Sequence, residues 1–492
     1  MNENQDSYRQ IVKATSLFGG VQVFNIFIAI GRSKAIAVLL GPTGMGIAGL
    51  LNTTLGLITS ITSLGLGTSA VKDISSANST ENHEKIIPLV ISFRRLVWAT
   101  GLLGTLLTLV LSGWLSRITF GNDDYRLAFI WISITLLWNQ LSSGQLVLLQ
   151  GMRKLKYLAR ANMIGSFLGL VFVLPLYYFY GIDGIVPGII VTSIVSMVIA
   201  RFYAGKIKIG HQPVTFRETL NLGKGMLILG FAISLTGMMD QLVAYIIRIY
   251  ISNTGGVDQV GLYNAGFAII NSYVGLIFTA MSTDYFPALC AKSEDNISCQ
   301  RTVNHQAEIA ILILSPLILM FLVFINWVTI ILYSSKFVAI NSMIHWAILG
   351  IFFKAVGWAI GYIFLAKGAV RIYFYTYVLS SVIMLGTNIL GYKYWGLEGL
   401  GIAFLVSYFL VLFPGYLIAR NKYNITLDST LIRILLLQLF LAICAFVLVK
   451  ILSTPYSYLA GIVLIIISCV YSYRELDKRV SIRPYIDRLL KR

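Results

Sequence analysis

Two cations, Arg32 and Lys34, interrupt a long apolar stretch near the start of the chain, at residues 17–40. An ionisable group inside a membrane span is costly unless it reaches the headgroups, pairs with another group or lines a water-filled cavity. If the stretch is an α-helix, Arg32 lies eight residues, or ~12 Å, from its end. This depth makes Arg32 the first candidate for a functional site.

Helical geometry separates the two cations. At about 100° per residue, Asn25 and Arg32 fall within about 20° of each other, because they are seven positions apart. Lys34 lies two positions beyond Arg32 and points almost the opposite way. We therefore predict one polar face with Asn25 and Arg32, and a Lys34 side chain that reaches the headgroups or packs against a neighbouring helix.

The composition is that of an integral membrane protein. Hydrophobic residues make up 57% of the 492 residues, charged residues only 12%, and the mean hydropathy is +0.80, whereas about a quarter of the residues in soluble domains are charged. No polar segment is long enough for a separate soluble domain. The four cysteines form no C-x-x-C pair and lie in or beside apolar stretches, which favours packing over a disulfide or metal site.

Apolar stretches of about the ~20 residues that a helix needs to span a bilayer recur along the whole chain. We predict fourteen of them, near residues 14–40, 44–71, 94–115, 127–150, 157–180, 184–203, 224–252, 259–286, 305–333, 343–366, 372–394, 399–419, 431–452 and 455–473.

Lys and Arg are divided unequally between the connections of these spans. With the amino terminus in the cytoplasm, 29 of the 38 Lys and Arg lie on the cytoplasmic side and five lie outside, as the positive-inside rule requires. An even number of spans places both termini on the cytoplasmic side. The net charge of +18 therefore reflects membrane topology and does not indicate a nucleic-acid partner.

The chain contains an internal repeat. YYFYGIDGI at residues 177–185 recurs 215 positions later as YKYWGLEGL at residues 392–400, and Gly46 recurs at the same offset as Gly261. Two copies of six spans each enter the membrane from the same side, and such parallel halves commonly enclose a central cavity. We predict a six-helix bundle at residues 1–204, a cytoplasmic linker at 205–223, a second six-helix bundle at 224–420, and a helix pair with a basic tail at 421–492.

The repeat also supplies a counterpart of Arg32. If the turn that follows this helix differs in length by one residue between the two halves, the offset becomes 216, which maps Asn25 onto Gln241 and Arg32 onto Arg248. An amide seven residues before an arginine thus occurs in the first helix of each half. The alternative for Arg248 is coincidence and a side chain that reaches the headgroups, since it lies about four residues from its helix end.

Other polar residues also lie inside predicted spans. Asp240, in the middle of the seventh span, is an ion partner for an arginine, a proton or sodium site, or a protonated structural carboxyl. Lys354 is central in the tenth span and one turn from Trp358, so either a ligand or the aromatic ring stabilises its charge. A cluster in the fourth span either joins neighbouring helices or contacts a sugar. It comprises Asn139, Gln140, Ser142, Ser143 and Gln145.

Motifs of known catalytic or cofactor sites are absent from the sequence. It has no G-x-x-x-x-G-K-[ST] phosphate loop, no H-E-x-x-H helix and no paired carboxylates placed for aqueous chemistry. We therefore predict a protein that is not an enzyme, uses no cofactor or metal, and does not hydrolyse nucleotide itself.

Several motifs together resemble a known family. Arg32-x-Lys34 is followed by LGPTGMGI at residues 40–47, Gln150-Gly151 leads into a basic run, and GIDG at 181–184 joins two spans. With fourteen spans in two halves plus a final pair, the chain resembles the bacterial polysaccharide (O-antigen) flippases of the multidrug, oligosaccharidyl-lipid and polysaccharide exporter superfamily.

The resemblance implies an all-α integral membrane fold of two parallel six-helix bundles around a central cavity plus a C-terminal helix pair. It also implies alternating access in the bacterial cytoplasmic (inner) membrane, with a polyprenyl-pyrophosphate-linked oligosaccharide as cargo. Because arginine binds phosphate oxygens bidentately, Arg32 and Arg248 would hold the pyrophosphate and Lys354 would assist. Asn25 and Gln241 would face the sugar. Asp240 would be the residue to test for H⁺ or Na⁺ coupling.

Three alternatives stay open at this point. A lipid II-type peptidoglycan precursor flippase shares the fourteen spans and the cationic cavity. A cation-coupled multidrug antiporter of the same superfamily would need membrane acids in its cavity, where this chain has mainly cations. A membrane glycan polymerase or ligase would be expected to carry a large outer loop, which the sequence lacks.

Overall fold

The computed structural model describes residues 3–79, 83–207, 210, 212–453 and 455–480. Within these ranges the chain is helical and contains no β-strand. The α-helices are α1 (Glu3–Leu39), α2 (Gly41–Thr62), α3 (Leu66–Ser79), α4 (His83–Val110), α5 (Ser112–Phe120), α6 (Arg126–Gly151), α7 (Leu155–Tyr180), α8 (Ile185–Ala204), α9 (Phe216–Gly255), α10 (Val257–Ala268), α11 (Gly275–Cys290), α12 (Asn296–Leu332), α13 (Asn341–Ala366), α14 (Val370–Tyr423), α15 (Ser429–Ile451) and α16 (Tyr456–Val480). Gly181–Gly184 and Ser335–Ile340 are 3₁₀-helical, and Ile269–Val274 is π-helical.

The all-α membrane class predicted from composition is confirmed. Ten helical segments of the described chain are long and apolar enough to cross a membrane, or eleven if the bent pair Phe216–Phe231 and Ile233–Gly255 counts as one span. Two of the ten, Leu155–Ala204 and Val370–Tyr423, have 50 and 54 residues, which is more than twice the ~20 residues that one span needs. Helix α6, the fourth predicted span, is not among the ten. The number fourteen therefore stays a prediction.

Glycines break both of these long segments at repeat-related positions. Gly181 has φ 56° and ψ −131°, and Gly396 has φ 56° and ψ −136°, a backbone region that only glycine adopts without strain. A Cβ on Gly184 would collide with the carbonyl oxygen of Leu176, and one on Gly399 would collide with that of Gly391. Both copies of the repeated motif thus make the same tight turn, and the first turn joins α7 and α8, which pack against each other.

The chain forms two compact units, Met1–Gly261 and Leu262–Arg492. The first unit includes α9, which packs against α2, α3, α4 and α5. The hydroxyl groups of Tyr245 and Thr119 are 2.9 Å apart, and the Asn253 side chain donates to the carbonyl oxygen of Ile118 at 3.1 Å. These contacts place the end of the first unit after α9. The division of the repeat into bundles at residues 1–204 and 224–420 stays a prediction.

The connector between α8 and α9 is held against α4. Arg95 donates through Nη1 to the carbonyl oxygen of Val214 at 2.9 Å and to the Thr219 hydroxyl at 2.8 Å. Thr215 begins α9 with a capping box, because its side chain accepts from the Glu218 amide and the Glu218 carboxylate accepts from the Thr215 amide. Lys208 and His211 of the predicted linker lie outside the described residues.

A buried ion pair ties the last helix of the second unit to α12. The Nε of Arg479 on α16 lies 2.7 Å from a carboxylate oxygen of Glu308 on α12, whose side chain is only 4% exposed. The same guanidinium bonds Glu475 at 2.6 Å. Removing one partner of such a pair leaves a buried charge without compensation, which costs much more than the pair itself contributes.

We therefore expect Arg479→Leu to lower the free energy of unfolding by about 3 kcal/mol and the melting temperature accordingly. Lys478→Leu is the matched control, because the neighbouring Lys478 side chain is 70% exposed and makes only a surface ion pair with Glu475. Thermal unfolding of the purified protein in detergent measures both. An equal loss in the two variants would contradict a specific role for the buried pair.

Two connections between helices report the orientation of the protein in the membrane. Arg117 in the last turn of α5 forms an exposed ion pair with Asp123 in the turn that follows, and the hydrogen bond from Arg117 lowers the pKa of Asp123. The predicted topology places this turn outside and the connector before α9 in the cytoplasm. With the four native cysteines replaced by alanine, Asn122→Cys should react with a membrane-impermeant maleimide in intact cells and Gln212→Cys only after lysis. The reverse pattern would overturn the assignment of cytoplasmic termini.

Candidate functional site

A large polar cavity lies inside the first unit. Its volume is about 900 Å³ and its wall is formed by residues of α1, α2, α3, α4, α6, α7, α8 and α9. Arg32 is the only charged side chain among the described residues that line it. The polar lining residues are Asn52, Thr59, Ser60, Ser63, Thr68, Asn139, Gln140, Ser143, Tyr177, Thr192, Ser193, Ser234, Thr236 and Gln241. The cavity therefore combines a single positive charge with uncharged polar groups.

Arg32 reaches this cavity from α1 past a glycine of α7. A Cβ built on Gly169 would lie 3.4 Å from Nη2 of Arg32 and 3.2 Å from Cγ2 of Thr192. The missing side chain at position 169 thus provides the space in which the guanidinium lies. The Nε of Arg32 is buried and has no hydrogen-bond partner among the described residues. A buried donor on a charged group without a partner is energetically costly and is best satisfied by an anionic ligand or water.

Several hydroxyl groups of the cavity wall donate their protons to acceptors within the protein. Ser60, Thr192 and Ser193 donate to backbone carbonyls of their own helices at 2.8, 2.8 and 2.9 Å. Asn52 donates to Ala48 at 2.7 Å, and Gln140 donates to the Thr100 hydroxyl at 3.0 Å. What these side chains offer the cavity is mainly oxygen lone pairs. The wall is therefore suited to a ligand that donates hydrogen bonds, apart from the group that meets Arg32.

The structure brings two of the predicted site residues to the same cavity. Gln241 on α9 lines it together with Arg32, and its Oε1 would lie 3.2 Å from a Cβ placed on Gly56 of α2. Asn25, seven residues before Arg32 on α1, is not among the described lining residues. Its Oδ1 is nevertheless buried without a hydrogen-bond partner among the described residues. A role for Asn25 and Gln241 in sugar contact stays a prediction.

Arg248 and Asp240 lie on α9 outside the cavity lining. Arg248 donates through Nη1 to the carbonyl oxygen of Ala244 at 3.0 Å, on its own helix. Asp240 is exposed, precedes the lining residue Gln241, and makes no ion pair with any described residue. The arginine partner considered for Asp240 is thus not present within the described part of the chain. Cargo contact by Arg248 and ion coupling at Asp240 stay predictions.

Lys354 belongs to the second unit, where aromatic rings surround its ammonium group. Nζ lies 5.3 Å from the ring centre of Tyr408 and 5.7 Å from those of Phe278 and Phe404. Trp358, the ring considered from sequence, instead packs on Phe278 at 5.3 Å. Cation–π contacts therefore stabilise this charge within the second unit. Assistance to a pyrophosphate stays a prediction for Lys354.

Sequence reasoning found part of the cavity wall. Of the polar cluster in the fourth span, Asn139, Gln140 and Ser143 line the cavity, whereas Ser142 and Gln145 do not. The polar row of α2 was missed, although its spacing of four, three, one and three residues follows one face of a helix. It consists of Asn52, Gly56, Thr59 and Ser60 of α2 and of Ser63, the residue that follows α2. Small and hydroxyl-bearing residues on one face of an apolar helix were the available signal.

The fold and the cavity together define the class of membrane protein to which this chain belongs. An all-helical chain with ten or eleven apolar spans and a polar cavity among its helices is a multi-pass membrane transporter fold. It is similar to the inward-facing structure of a multidrug resistance MATE family transporter of the MOP superfamily, with TM-score 0.68 and 16% identity over 82% of this chain and 94% of that one. It is also similar to the lipid II flippase MurJ in an inward closed conformation, with TM-score 0.64 and 14% identity over 94% and 99% of the two chains.

The sequence comparison defines the family. Residues 35–342 match the model of the family described as polysaccharide biosynthesis protein. This match covers more than half of the chain, which therefore belongs to that family. The lipid III flippase of Escherichia coli (strain K12) is 23% identical over 353 residues, 69% of this chain and 81% of that protein. A putative O-antigen transporter of Shigella flexneri is 24% identical over 352 residues, 68% and 81% of the two chains.

The gap at Gly169 generates a prediction about anion binding. In Gly169→Val the added methyl groups would occupy the space of the Arg32 guanidinium and turn it away from the cavity. We expect inorganic pyrophosphate to bind at least about tenfold more weakly, as in Arg32→Ala, because charge-assisted hydrogen bonds of about 1.5–3 kcal/mol are lost. Isothermal titration calorimetry on the purified protein measures this affinity.

Gly165→Val is the matched control, since the nearest atom to a Cβ at Gly165, one turn earlier on α7, is 3.9 Å away. The combined variant Gly169→Val/Arg32→Ala should bind no more weakly than Arg32→Ala alone, because both changes remove the same contact. Unchanged pyrophosphate affinity in Arg32→Ala would show that the cavity charge does not bind anions.

Proposed function

We propose that this protein is a flippase that moves a polyprenyl-pyrophosphate-linked oligosaccharide, an O-antigen or other surface polysaccharide unit, across the bacterial cytoplasmic membrane by alternating access. The observation that carries the proposal is the isolated charge of Arg32 in the polar cavity of the first unit. A diphosphate crossing hydrocarbon needs a cation, and the planar guanidinium binds two phosphate oxygens at once.

The rest of the cavity wall suits the sugar part of this cargo. Sugar hydroxyls are hydrogen-bond donors, and the wall offers oxygen acceptors whose own protons are bound to backbone carbonyls. Tyr177 adds an aromatic ring to the lining. The volume of about 900 Å³ lies near the upper end of the roughly 300–1,000 Å³ of ligand pockets. The relatives described as a lipid III flippase and a putative O-antigen transporter support the same class of cargo.

The other predicted site residues contact the cargo or a coupling ion. Gln241 contacts the sugar beside Arg32, and Asn25 orients or accepts from the cargo along the same face of α1. Arg248 and Lys354 bind the pyrophosphate at another stage of the transport cycle. Asp240, the one acid in the middle of α9, is where a coupling ion, H⁺ or Na⁺, would act.

A lipid II-type peptidoglycan precursor flippase is the second candidate, since the fold likeness to MurJ extends over 94% of this chain. A cation-coupled multidrug antiporter is disfavoured, because no carboxylate is present among the described residues of the cavity wall and its one charge repels organic cations. A glycan polymerase or ligase is disfavoured by the short connections, of which Gly121–Tyr125 after α5 is an example.

Transport by reconstituted protein tests the proposal. Proteoliposomes would contain a fluorescent polyprenyl-pyrophosphate oligosaccharide, and externally added dithionite would quench the label as it reaches the outer leaflet. We expect Arg32→Ala to slow the transfer at least about tenfold, because the charge-assisted contact of about 1.5–3 kcal/mol is lost. Arg248→Ala should slow it as well, and Lys34→Ala, two residues from Arg32, should have little effect.

The same assay measures which lipid-linked cargo the protein prefers. Excess unlabelled lipid II that competes as well as unlabelled oligosaccharide cargo would favour the second candidate. Transport that is undiminished in both Arg32→Ala and Arg248→Ala would overturn the proposed role of the arginines.

A further inference from the structure

A second pocket lies on the first unit between α4, α6 and α8, apart from the cavity around Arg32. It has a volume of about 250 Å³. Arg94 of α4 and Arg201 of α8 line it together with Gln145 of α6 and Trp98 of α4. No Asp or Glu occurs among the described residues of its lining. The pocket is thus a small basic recess between three helices.

The polar side chains of this recess have no hydrogen-bond or ion-pair partner among the residues that the structure describes. Within the described part of the chain, the side chains of Arg94, Arg201 and Gln145 form no hydrogen bond and no ion pair. Arg94 and Arg201 are both exposed and line the same recess of about 250 Å³. Arg95, the next residue, differs, because it donates to Val214 and Thr219. Two like charges held together without a counter-charge are unfavourable, and an anion between them removes that cost.

The position of the recess matches the depth of lipid headgroups. Arg201 lies three residues before the end of α8, and Gln145 lies six residues before the end of α6. Arg94 lies eight residues after the start of the apolar segment Ile86–Val110. At about 1.5 Å per residue these side chains start roughly 5–12 Å from the ends of α8 and α6 and from the start of the apolar segment of α4. In the predicted topology all three ends are cytoplasmic.

Exposed aromatic side chains stand beside the two arginines. Trp98 is 48% exposed within the recess, and Phe202, next to Arg201, is 59% exposed. Such rings favour the boundary between headgroups and acyl chains. Basic pockets between membrane helices on the cytoplasmic side bind anionic lipid headgroups. The combination favours a ligand with a phosphate and attached acyl chains over a small soluble anion.

We propose that this recess is a binding site for the phosphate headgroup of an anionic phospholipid of the inner leaflet. Arg94 and Arg201 bind the phosphate oxygens, Gln145 donates an amide hydrogen, and the acyl chains pass along Trp98. Phe93, Val97 and Gly144 line both this recess and the cavity of Arg32. A bound lipid therefore contacts the opposite side of the wall that the transported molecule would meet.

The binding of defined lipids to the purified full-length protein tests this site. Phosphatidylglycerol and phosphatidylcholine are added separately in neutral detergent, and bound lipid is measured by native mass spectrometry. We expect phosphatidylglycerol to bind and phosphatidylcholine to bind at least about tenfold more weakly. Arg94→Gln/Arg201→Gln should weaken phosphatidylglycerol binding at least about tenfold, the size expected for losing charge-assisted hydrogen bonds.

Two further variants keep the test decisive. Lys156→Gln/Arg160→Gln removes the same number of exposed charges from α7 and should leave the affinity unchanged. Gln145→Glu puts a carboxylate into the recess and should also weaken binding, without loss of either arginine. Thermal unfolding confirms that each variant is folded.

Three results would overturn the proposal. They are unchanged phosphatidylglycerol affinity in Arg94→Gln/Arg201→Gln, an equal loss in the α7 control, and displacement of the lipid by an equal concentration of inorganic phosphate, which would indicate a free-anion site. Because lipid binding is measured without transport, its outcome is independent of the proposed flippase function.

Discussion

The solvation of one guanidinium group governs the first unit. Arg32 lies within an apolar helix, where hydrocarbon on every side would be prohibitively costly for its charge. The guanidinium has room because α7 carries Gly169, which has no side chain, beside it, and because Arg32 lines the polar cavity. The buried Nε has no hydrogen-bond partner in the part of the chain that the structure describes. Because no carboxylate among the described residues of the cavity wall neutralises it, the guanidinium is available to an anionic ligand.

The uncharged polar residues of the cavity wall satisfy part of their hydrogen bonding within the protein and offer the rest to a ligand. Hydroxyl side chains in apolar helices satisfy their protons on the preceding turn of backbone, which keeps each helix intact in a membrane. Their oxygens then face the cavity as acceptors. One fixed cationic donor within a field of acceptors suits a ligand that is anionic at one end and rich in hydroxyl groups elsewhere.

Tight glycine contacts determine where the helices reverse and meet. Gly181 and Gly396 adopt the same conformation with positive φ 215 residues apart, and Gly184 and Gly399 approach a carbonyl oxygen in the same way. In the first unit, a Cβ on Gly46 would collide with the carbonyl of Val257, and one on Gly261 would collide with that of Pro42. Residues 42 and 257 are themselves 215 apart. The repeat is therefore visible in reciprocal backbone contacts.

Composition and periodicity by themselves determined the membrane class and the apolar helical segments, and the repeat located the glycine turns, because burial in lipid and glycine-only torsions act on single residues or single helices. They also selected Arg32 as a candidate site residue, and its role stays a prediction. They did not identify the polar row of α2, the gap at Gly169 or the recess of Arg94 and Arg201. A helical period shows which residues share a face, but not which helix that face meets. The tertiary structure alone decided that Arg32 and Gln241 share a cavity, since their meeting depends on how α1 and α9 pack around other helices.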